Sequence, residues 1–504
     1  MAEPIPVLFI THAEYGQANV VLAVAQSLAR NADFNITIAS FAKLAPRIQE
    51  INESNKTLAR PITFHTIPGI AMEDLAARQT YANPDSPYAH APGFLPAISS
   101  YGNLEKSAFG WKGSEYVEIF GHCRKLIQEV RPAALVIDVA FFMAADAARD
   151  LGCHFVMISP SSVKELLGGI LPGAPMFWKW PVMSSGLQFP LSMFDTVKNI
   201  VLAICFIYTI LQGSHIKDFG KVSNLREEGG KSLTSHQVRK EAGLKYNIPL
   251  LEPYRKEDIL VTSFTPEADY SGLDKLPSNV KICGPITLPP LRPLIETDAP
   301  LLQWLQQRPT VLINLGTHFS ADRDASFELA KGIKTVLESR EDVQILWKLK
   351  FDWSKDAPIR SLIEPFVGSN RLRITPWLRA EPSSLLETGH IVCVVHHGGA
   401  NSYYEAVRAG IPQLVLPVWW DTYEYAERAR YRGIGLVGNV GVAPGVEGTQ
   451  FSSKLLQILN SPHMTERATE ISEACKLRGE GRDLAAAEIA KWARSRKTKV
   501  VKED

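Results

Sequence analysis

A histidine, two glycines and two polar side chains lie close together in the segment 391–433, IVCVVHHGGANSYYEAVRAGIPQLVLPVWWDTYEYAERARYRG. His397 is followed by a glycine pair that ends at Gly399, and Asn401 and Ser402 come within the next three residues. Polar side chains at a helix start, beside glycines that allow close approach to the backbone, form a pocket for anions. The pattern therefore predicts a binding site for a phosphorylated ligand.

Strands and helices must position these residues. The apolar run Ile391–Val395 has the length of a strand that is buried on both faces. A helix is expected to begin near Ser402 and to run through Ala409, and Glu405 lies three residues after Ser402, which is the spacing of a capping box. A further strand then leads to Asp421 at the start of another helix.

Two other interpretations of this segment remain open. The glycines could form an ordinary turn, with the acidic residue acting only as a helix cap. A metal site is the weaker alternative, because His396 and His397 are adjacent and point to opposite faces of a strand. No cysteine or acidic residue stands nearby at a ligand spacing such as HExxH.

The segment resembles the donor-binding signature of the UDP-glycosyltransferase superfamily, the family 1 glycosyltransferases, and in particular members that act on small molecules. The residues in register with that signature, without a gap, are His397, Gly399, Asn401, Ser402, Glu405, Ala406, Gly410, Pro412, Pro417 and Asp421. The resemblance implies the α/β architecture called GT-B, in which two doubly wound parallel-sheet (Rossmann-like) domains face a cleft.

The resemblance also implies the residues that bind the donor nucleotide. Trp377 would stack on the uracil, although it stands one or two residues further from His397 than in the family. Arg379 and Ala380 replace the Pro-Gln pair that commonly follows that tryptophan. The nucleoside is therefore open, with uridine as the first expectation.

The diphosphate and ribose would be bound by the glycine turn and the helix after it. The resemblance assigns His397 and Ser402 to the diphosphate, and Asn401 to the shape of the pocket. It assigns Glu405 to the ribose hydroxyls, and it places Thr317, which follows a glycine, near the phosphates.

The sugar end departs from the family pattern. Asp421 matches the carboxylate that binds sugar hydroxyls, but the glutamine that usually follows is Thr422 here. Threonine is shorter and lacks a paired amide donor and acceptor. Glucose stays the first guess, while another hexose, a deoxysugar or a pentose remains open.

The catalytic base is missing from its usual place. Inverting transfer needs a base for the acceptor hydroxyl, and the family's histidine is replaced here by Gln17, whose amide has no basic atom near neutral pH. We expect His12, oriented by Asp138, to act as the base. Asp138 itself, Glu14 or an acceptor that is already acidic are the alternatives.

Aromatic side chains in irregular, Gly- and Pro-punctuated stretches are candidates for the acceptor pocket. They are Phe109, Trp111, Trp178 and Trp180. Aromatic clefts suit apolar small molecules, although core packing would explain each of these residues equally well. The expected acceptor is a lipophilic hydroxylated or carboxylated molecule such as a polyketide, terpenoid, sterol or phenolic.

Apolar strands alternate with helices along the whole chain, which indicates parallel α/β architecture. We predict an acceptor-binding domain at 1–290 and a donor-binding domain at 291–480. The proline-rich stretch Cys283–Pro300 would connect them. The segment 481–504 would be a helix that returns to the first domain, near 483–495, followed by a charged tail.

Composition limits the other functional classes. The net charge of +1 gives no electrostatic reason to expect a nucleic-acid partner. The six cysteines are scattered and several lie in apolar runs, which is typical of free thiols in a reducing compartment. The N-terminus shows no secretory signal. A cytoplasmic protein, expected to be a monomer, follows from these features.

The run 199–211, NIVLAICFIYTIL, is almost entirely apolar. It is too short to span a bilayer, which takes about 20 residues. We expect a buried helix, and the alternative is a helix that contacts the surface of an internal membrane and helps to collect a lipophilic acceptor.

Together these features predict an inverting glycosyltransferase that needs no metal or other cofactor and moves a hexose from a nucleotide sugar to a small acceptor in secondary metabolism. A sugar-nucleotide epimerase of the same architecture and a non-catalytic sugar-nucleotide-binding protein are the alternatives.

Overall fold

The computed structural model describes residues 3–76, 88–108, 110–214, 225–226, 232–233, 243, 258–273, 275–316, 319 and 321–503. Two of the predicted site residues, Phe109 and Thr317, lie outside the described residues.

The first half of the chain forms a parallel sheet. Its strands, with a short hairpin (β6, β7) that lies outside the sheet, are β1 (Ile5–Ile10), β2 (Phe34–Ser40), β3 (Thr63–Thr66), β4 (Ala134–Asp138), β5 (Val156–Ser159), β6 (Leu225–Arg226), β7 (Ser232–Leu233), β8 (Ile259–Thr262) and β9 (Val280–Ile282). Among the described residues, seven strands pair in the order β3-β2-β1-β4-β5-β8-β9. Every neighbouring pair in this sheet is parallel.

Helices lie between these strands along the chain, and several of them pack an apolar face against the sheet. They are α1 (Tyr15–Ala29), α2 (Ala45–Ser54), α3 (Met72–Ala76), α4 (Phe94–Ala108), α5 (Gly113–Val130), α6 (Phe142–Asp150), α7 (Val163–Leu167), α8 (Pro175–Trp178) and α9 (Met193–Ser214). Strands such as β4 are buried at every position, as expected for a parallel sheet covered on both faces.

The second half repeats the plan with its own sheet. The strands are β10 (Thr310–Ile313), β11 (Gln344–Lys348), β12 (Leu372–Thr375), β13 (Ile391–His396), β14 (Gln413–Val415) and β15 (Gly435–Val437). The described residues give the order β12-β11-β10-β13-β14-β15, again entirely parallel. The predicted fold class, two doubly wound α/β domains, is confirmed.

The helices of the second half and the C-terminal helix follow the same order along the chain. They are α10 (Leu294–Thr297), α11 (Ala299–Leu305), α12 (Arg323–Ser339), α13 (Ala357–Gly368), α14 (Pro382–Leu386), α15 (Ala400–Ala409), α16 (Thr422–Tyr431), α17 (Gly448–Leu459), α18 (Pro462–Arg478) and α19 (Gly481–Glu503). Short 3₁₀ turns lie at Ala42–Leu44, Pro266–Ala268 and Trp353–Lys355.

The C-terminal helix α19 packs on the first domain. Its apolar residues Ala485, Ile489 and Ala493 belong to the hydrophobic core that contains β1 and β4. The chain therefore crosses from the second domain back to the first at its end. The boundary at 290/291 stays a prediction.

In each sheet the strand order reverses at one point, between β1 and β4 in the first and between β10 and β13 in the second. Loops leave in opposite directions at such a point, so a crevice opens at the carboxyl ends of the two strands. The residues that follow these four strands are therefore the ones placed to meet a ligand.

Helix α9 differs from the expectation of a buried helix. The residues of its exposed face are Met193, Phe194, Val197, Val201, Ile204 and Tyr208, which are 92%, 70%, 62%, 40%, 54% and 59% exposed. Of the described helices it is the one that is long and apolar enough to cross a membrane by composition. The opposite side packs on α4 and α8, so the burial prediction is wrong for one face, because the described neighbours cover only the other.

Candidate functional site

A cleft of about 480 Å³ opens between the two domains. It is lined from the first domain by the start of α1 and by residues near α2, and from the second by the loops that follow β10, β12 and β13. Its volume is in the range of small-molecule and cofactor sites. The cleft therefore occupies the position that both strand reversals predict.

Most of the residues predicted to bind the donor line this cleft. They are Trp377, His397, Gly399, Asn401, Ser402, Glu405 and Asp421. They come from three separate segments, which follow β12, β13 and β14, so the fold brings together side chains that are up to 44 positions apart in the sequence (421 − 377).

The two adjacent histidines have different environments. His396 is fully buried; its Nδ1 accepts a hydrogen bond from the Gly398 amide at 3.0 Å, and its Nε2 lies 2.8 Å from Oε1 of Gln413. Because Nδ1 accepts, Nε2 carries the proton and donates to Gln413. Burial lowers the pKa of His396 to about 4. His396 is therefore a neutral residue that holds the turn, and His397 faces the cleft.

Two glycines leave the space that the imidazole of His397 occupies. A Cβ at Gly316, where φ is +90°, would lie 2.7 Å from Cε1 of His397, and a Cβ at Gly399 would lie 2.8 Å from Nε2. The Trp419 ring lies 5.4 Å from the imidazole. The absence of side chains at both glycines thus leaves room for the ring to face the cleft.

Helix α15 begins at Ala400 with Gly399 as its N-cap, and no side chain caps it. The predicted capping box between Ser402 and Glu405 is therefore wrong, because both residues lie inside the helix rather than at its cap. Neither side chain caps the helix, so both are available to bind a ligand. The N-terminus of α15, with its positive dipole end, borders the cleft.

Asn401 connects the two domains across the cleft. Its Nδ2 donates to the carbonyl of Tyr15 at 3.3 Å and to that of Gly16 at 3.2 Å. Both carbonyls belong to the turn that starts α1. The side chain therefore fixes the cleft width at this point.

Two carboxyl groups in the cleft wall have pKa values near neutrality. Burial, with a smaller effect of Glu381, raises the pKa of Glu405 to about 7. Burial and then the nearby Glu165 carboxylate raise the pKa of Asp421 to about 7. Hydrogen bonds from ligand hydroxyls would favour the charged form of each group.

Thr422 does not line the cleft. It is fully buried, and its hydroxyl oxygen accepts hydrogen bonds from the amides of Val418 and Trp419, each at 3.0 Å. The hydroxyl donates in turn to the carbonyl of Trp419. Thr422 thus stabilises the bend before α16, a position in which its short side chain is structural.

His12 follows β1 but is fully buried. Its ring stacks with Phe141 at a centroid distance of 4.6 Å and lies between Phe41 and Trp111. Nε2 lies 3.1 Å from the carbonyl of Ala140, so this nitrogen carries the proton. Among the described residues Nδ1 has no hydrogen-bond partner, and it lies 3.9 Å from Oε2 of Glu14.

Asp138 does not orient this ring as expected. Its carboxylate accepts hydrogen bonds from the Thr11 hydroxyl at 2.9 Å, the His12 amide at 3.4 Å and the Ala140 amide at 3.0 Å. The structure thus differs from the prediction, because Asp138 binds the backbone of His12 and not its imidazole. Gln17, in contrast, lines the cleft.

Of the four predicted acceptor aromatics, the three that the structure describes do not line the cleft. Trp111 is 1% exposed, stacks on His12 and donates from its indole N–H to the Ile70 carbonyl. Trp180 is 1% exposed within the first core, and Trp178 is 53% exposed on the surface. Apolar residues in irregular segments gave no signal that could separate packing from binding.

Several residues that line the cleft were missed by the sequence analysis. Asn314 follows β10, Lys348 ends β11, and Trp419 lies beside His397. Arg47 from the first domain forms an ion pair with Glu381 from the second at the cleft edge. For Asn314 and Lys348 a signal was available, since each is a polar residue at the carboxyl end of a strand.

Comparison with known proteins gives the same picture. The family described as "Erythromycin biosynthesis protein CIII-like, C-terminal domain" matches residues 373–486, which include most of the donor residues above. Glycosyltransferase sdnJ of Sordaria araneosa is 34% identical over 505 residues, covering 94% of this chain and 94% of that protein.

More distant relatives match in part or in fold. Erythritol-mannosyl-transferase 1 of Pseudozyma antarctica (strain T-34) is 37% identical over 101 residues, 20% of this chain and 16% of that protein. A UDP-glucosyltransferase from Polygonum tinctorium that glucosylates indoxyl, solved with 3,4-dichloroaniline, has a TM-score of 0.61 at 18% identity and covers 98% of this chain and 99% of its own.

Proposed function

Because this chain belongs to the family 1 glycosyltransferases of GT-B architecture, we propose that it moves a hexose from a nucleoside diphosphate sugar to a hydroxyl or carboxyl group of a small lipophilic acceptor, with inversion at the anomeric carbon. The observation that carries this proposal is the convergence of His397, Ser402, Glu405 and Asp421 on one interdomain cleft.

The cleft has the groups that each part of such a donor needs. The indole of Trp377, which is half exposed, offers a face for the nucleobase. His397 and the N-terminus of α15 face the diphosphate, and Glu405 and Asp421 accept hydrogen bonds from ribose and sugar hydroxyls. As the acceptor oxygen bonds to the anomeric carbon, the bond to the phosphate oxygen breaks. His397 and the backbone amides at the start of α15 stabilise the departing nucleoside diphosphate. We propose that the reaction needs no metal and that activity persists in EDTA.

A ligand screen identifies the donor sugar and its nucleoside. The wild-type protein is screened by thermal shift with UDP, GDP, dTDP and their glucose and mannose derivatives. Ligands that share one nucleoside should raise the melting temperature, because a ligand that binds the folded state stabilises it. His397→Ala and Glu405→Ala should each lower the affinity for that ligand by about tenfold or more. Wild-type transfer rates in both variants would reject the proposed site.

The acceptor can lose its proton in two ways, either to His12 of the first domain or by ionising on its own. Nδ1 of His12 has the lone pair of a base, but it is buried, so this route needs the aromatic residues around it to admit the acceptor. An acceptor that ionises by itself, such as a carboxylic acid, needs no base. Transfer rates of His12→Ala and Gln17→His with an alcohol acceptor and with a carboxylic acid separate the routes. If His12→Ala loses only the reaction with the alcohol, His12 is supported as the base.

An epimerase of the same architecture would act without an acceptor. Incubation with the donor alone, followed by chromatography of the sugar nucleotide, distinguishes the two reactions. An isomerised sugar nucleotide would contradict the transferase proposal.

We further propose a contact with a lipid surface through the exposed residues of α9. At about 100° per residue, Met193, Val197, Val201, Ile204 and Tyr208 fall on one face of the helix, and no charged side chain lies among them. Asn199 holds the helix in this orientation. The two N–H groups of its buried side chain are shared among three carbonyls at 2.9–3.1 Å, and its oxygen accepts from the Val182 amide. The helix is therefore not free to turn this face inward.

Liposome sedimentation tests this contact. The wild-type protein should pellet with vesicles and the double variant Val197→Glu/Ile204→Glu should not, while Leu477→Glu, at another residue with 89% exposure, should behave as wild type. A wild-type protein that stays in the supernatant would contradict a membrane contact. The protein is otherwise proposed to be a cytoplasmic monomer, which size-exclusion chromatography with light scattering checks.

A further inference from the structure

A lysine in the cleft wall has no role in the function described so far. Lys348 is the last residue of β11, which pairs with β10 next to the strand reversal of the second domain. Because the carboxyl ends of parallel strands share one edge of the sheet, the side chain enters the same crevice as His397, and it lines the cleft.

The ammonium of Lys348 lies between two parts of the donor site. Nζ donates a hydrogen bond to the carbonyl of Gly316 at 2.9 Å, and Gly316 is the glycine that packs against His397. The same Nζ lies 4.2 Å from the centroid of the Trp377 ring. The cation therefore lies between the Trp377 ring and the Gly316 turn, which packs against His397.

This cation has no acidic partner among the described residues. The charged neighbour that affects it is Lys350, another cation, and burial together with Lys350 lowers the pKa of Lys348 to about 8. An ammonium has three N–H donors, and the carbonyl of Gly316 takes one of them. A partly buried positive charge without a carboxylate is best stabilised by an anionic ligand.

We propose that the Lys348 ammonium binds the diphosphate of the sugar donor and shares with His397 the stabilisation of the nucleoside diphosphate as it departs. This inference rests on the proposed function. A nucleotide whose base stacks on Trp377 and whose diphosphate reaches His397 must pass Lys348, because Nζ contacts the Trp377 ring at one end of that path and, at the other, the carbonyl of Gly316, the glycine that packs against His397.

Calorimetric titration of phosphorylated and unphosphorylated ligands tests this assignment. The probes are the nucleoside diphosphate among UDP, GDP and dTDP that gives the largest thermal shift, and the matching nucleoside. Lys348→Met should bind the diphosphate about 10- to 100-fold more weakly, the range of a charge-assisted hydrogen bond, and the nucleoside within about threefold of wild type. Lys350→Met, which removes one charge from an exposed position near the same strand end, should change neither affinity by more than about threefold.

Lysine and arginine differ in their titration, which gives a second measurement. Below pH 8 Lys348 is charged and gives its full contribution to the diphosphate affinity; above pH 8 the free protein loses this charge and the contribution should fall as pH rises. Lys348→Arg keeps its charge throughout, so between pH 7.5 and 9 its diphosphate affinity should fall less than that of the wild-type protein, because ionisation of the nucleobase and of other groups in the cleft affects both proteins alike.

The outcomes separate this inference from the proposed function. If none of the three nucleoside diphosphates binds the wild-type protein, the proposed function fails. If the wild-type protein binds and Lys348→Met loses diphosphate and nucleoside affinity equally, the lysine acts only through Trp377, and the inference is overturned. An unchanged diphosphate affinity in Lys348→Met overturns it as well.

Discussion

At the scale of single residues, the adjacent His396 and His397 show how one strand supplies both a support and a ligand. Alternate residues of a strand point to opposite sides, so His396 enters the core and His397 the cleft. Burial keeps His396 neutral, and its Nδ1 can therefore accept the Gly398 amide that shapes the turn. Both ring nitrogens of His396 make hydrogen bonds, to Gln413 and to the Gly398 amide, so this ring supports the turn.

The carboxyl of Glu405 should make donor affinity depend on pH. Burial raises its pKa to about 7 in the free protein, and a carboxylate that accepts hydrogen bonds from ribose hydroxyls has a lower pKa in the complex. Below pH 7 binding must therefore remove a proton. The contribution of Glu405 should be complete near pH 8, and donor affinity should fall by up to about tenfold per pH unit below 7 for each such group, as measured by calorimetry with the intact nucleotide sugar.

A matched variant identifies the group responsible. Glu405→Gln keeps an accepting oxygen but does not titrate, so it should bind more weakly at pH 8 and show a shallower fall toward pH 5.5. Asp421, whose pKa is also about 7, accounts for the remaining slope. Identical pH profiles in the wild-type protein and Glu405→Gln would contradict the role of Glu405.

At the scale of elements, the turn between β13 and α15 depends on glycine for two different reasons. Gly398 has φ of +94°, and a Cβ there would lie 2.6 Å from the carbonyl oxygen of Thr422. Gly399 has an ordinary φ of −65°, but a Cβ there would lie 2.8 Å from Nε2 of His397. Backbone conformation and close packing thus explain Gly398, while packing alone explains Gly399.

Gly399→Ala should therefore reduce donor binding without unfolding the protein. The added methyl group strains no backbone angle, and it displaces the movable end of the His397 side chain. We expect a loss of donor affinity of about tenfold, similar to that of His397→Ala, with a melting temperature close to wild type.

The control for this change is Gly368→Ala, at the last residue of α13, where a Cβ would have no atom within 4 Å. It should leave donor affinity unchanged. Full donor affinity in Gly399→Ala would show that the position of the His397 ring does not matter for binding.

At the scale of the whole molecule, a buried ionic network joins the two domains. Arg428 of α16 is fully buried and forms ion pairs with Glu165 at 2.5 Å and with Asp269 at 2.7 Å, both from the first domain. Lys164 pairs with Glu424 across the same interface. Burial alone would raise the pKa of Glu165, but Arg428 and Lys164 outweigh it and lower the pKa. The interface is thus held by charges that compensate one another.

Removal of the central cation should destabilise the protein strongly. Arg428→Met leaves Asp269 and Glu165 buried with much of their compensating charge gone, which costs about 3 to 5 kcal/mol of unfolding free energy, measured by urea denaturation. Arg360→Met removes a half-exposed arginine whose partner Glu364 is 3.9 Å away, and it should cost less than about 0.5 kcal/mol. Equal stabilities of the two variants would show that the network does not hold the domains together.

Much of the fold and of the donor site could be predicted from local patterns. The buried strands were visible as apolar runs, and the donor residues from His397 to Asp421 lie within 25 consecutive positions (397 to 421). The N-cap was misplaced by three residues (402 − 399), because Ser402 has the side chain of a cap while Gly399 takes that position. The burial of α9 was misjudged since an apolar run carries no information on which of its faces has a neighbour.

The amino-acid sequence alone determined the alternation of strands and helices, the family and the residues of the glycine turn, because these depend on neighbours along the chain. Only the tertiary structure decided that Asp138 binds the backbone of His12 rather than its ring, that Thr422 is buried, and that Lys348 lies between Gly316 and Trp377. The contacts of Asp138 and Lys348 join residues 29 to 126 positions apart. The direction and burial of a side chain are set by how distant elements pack, and no local pattern contains that information.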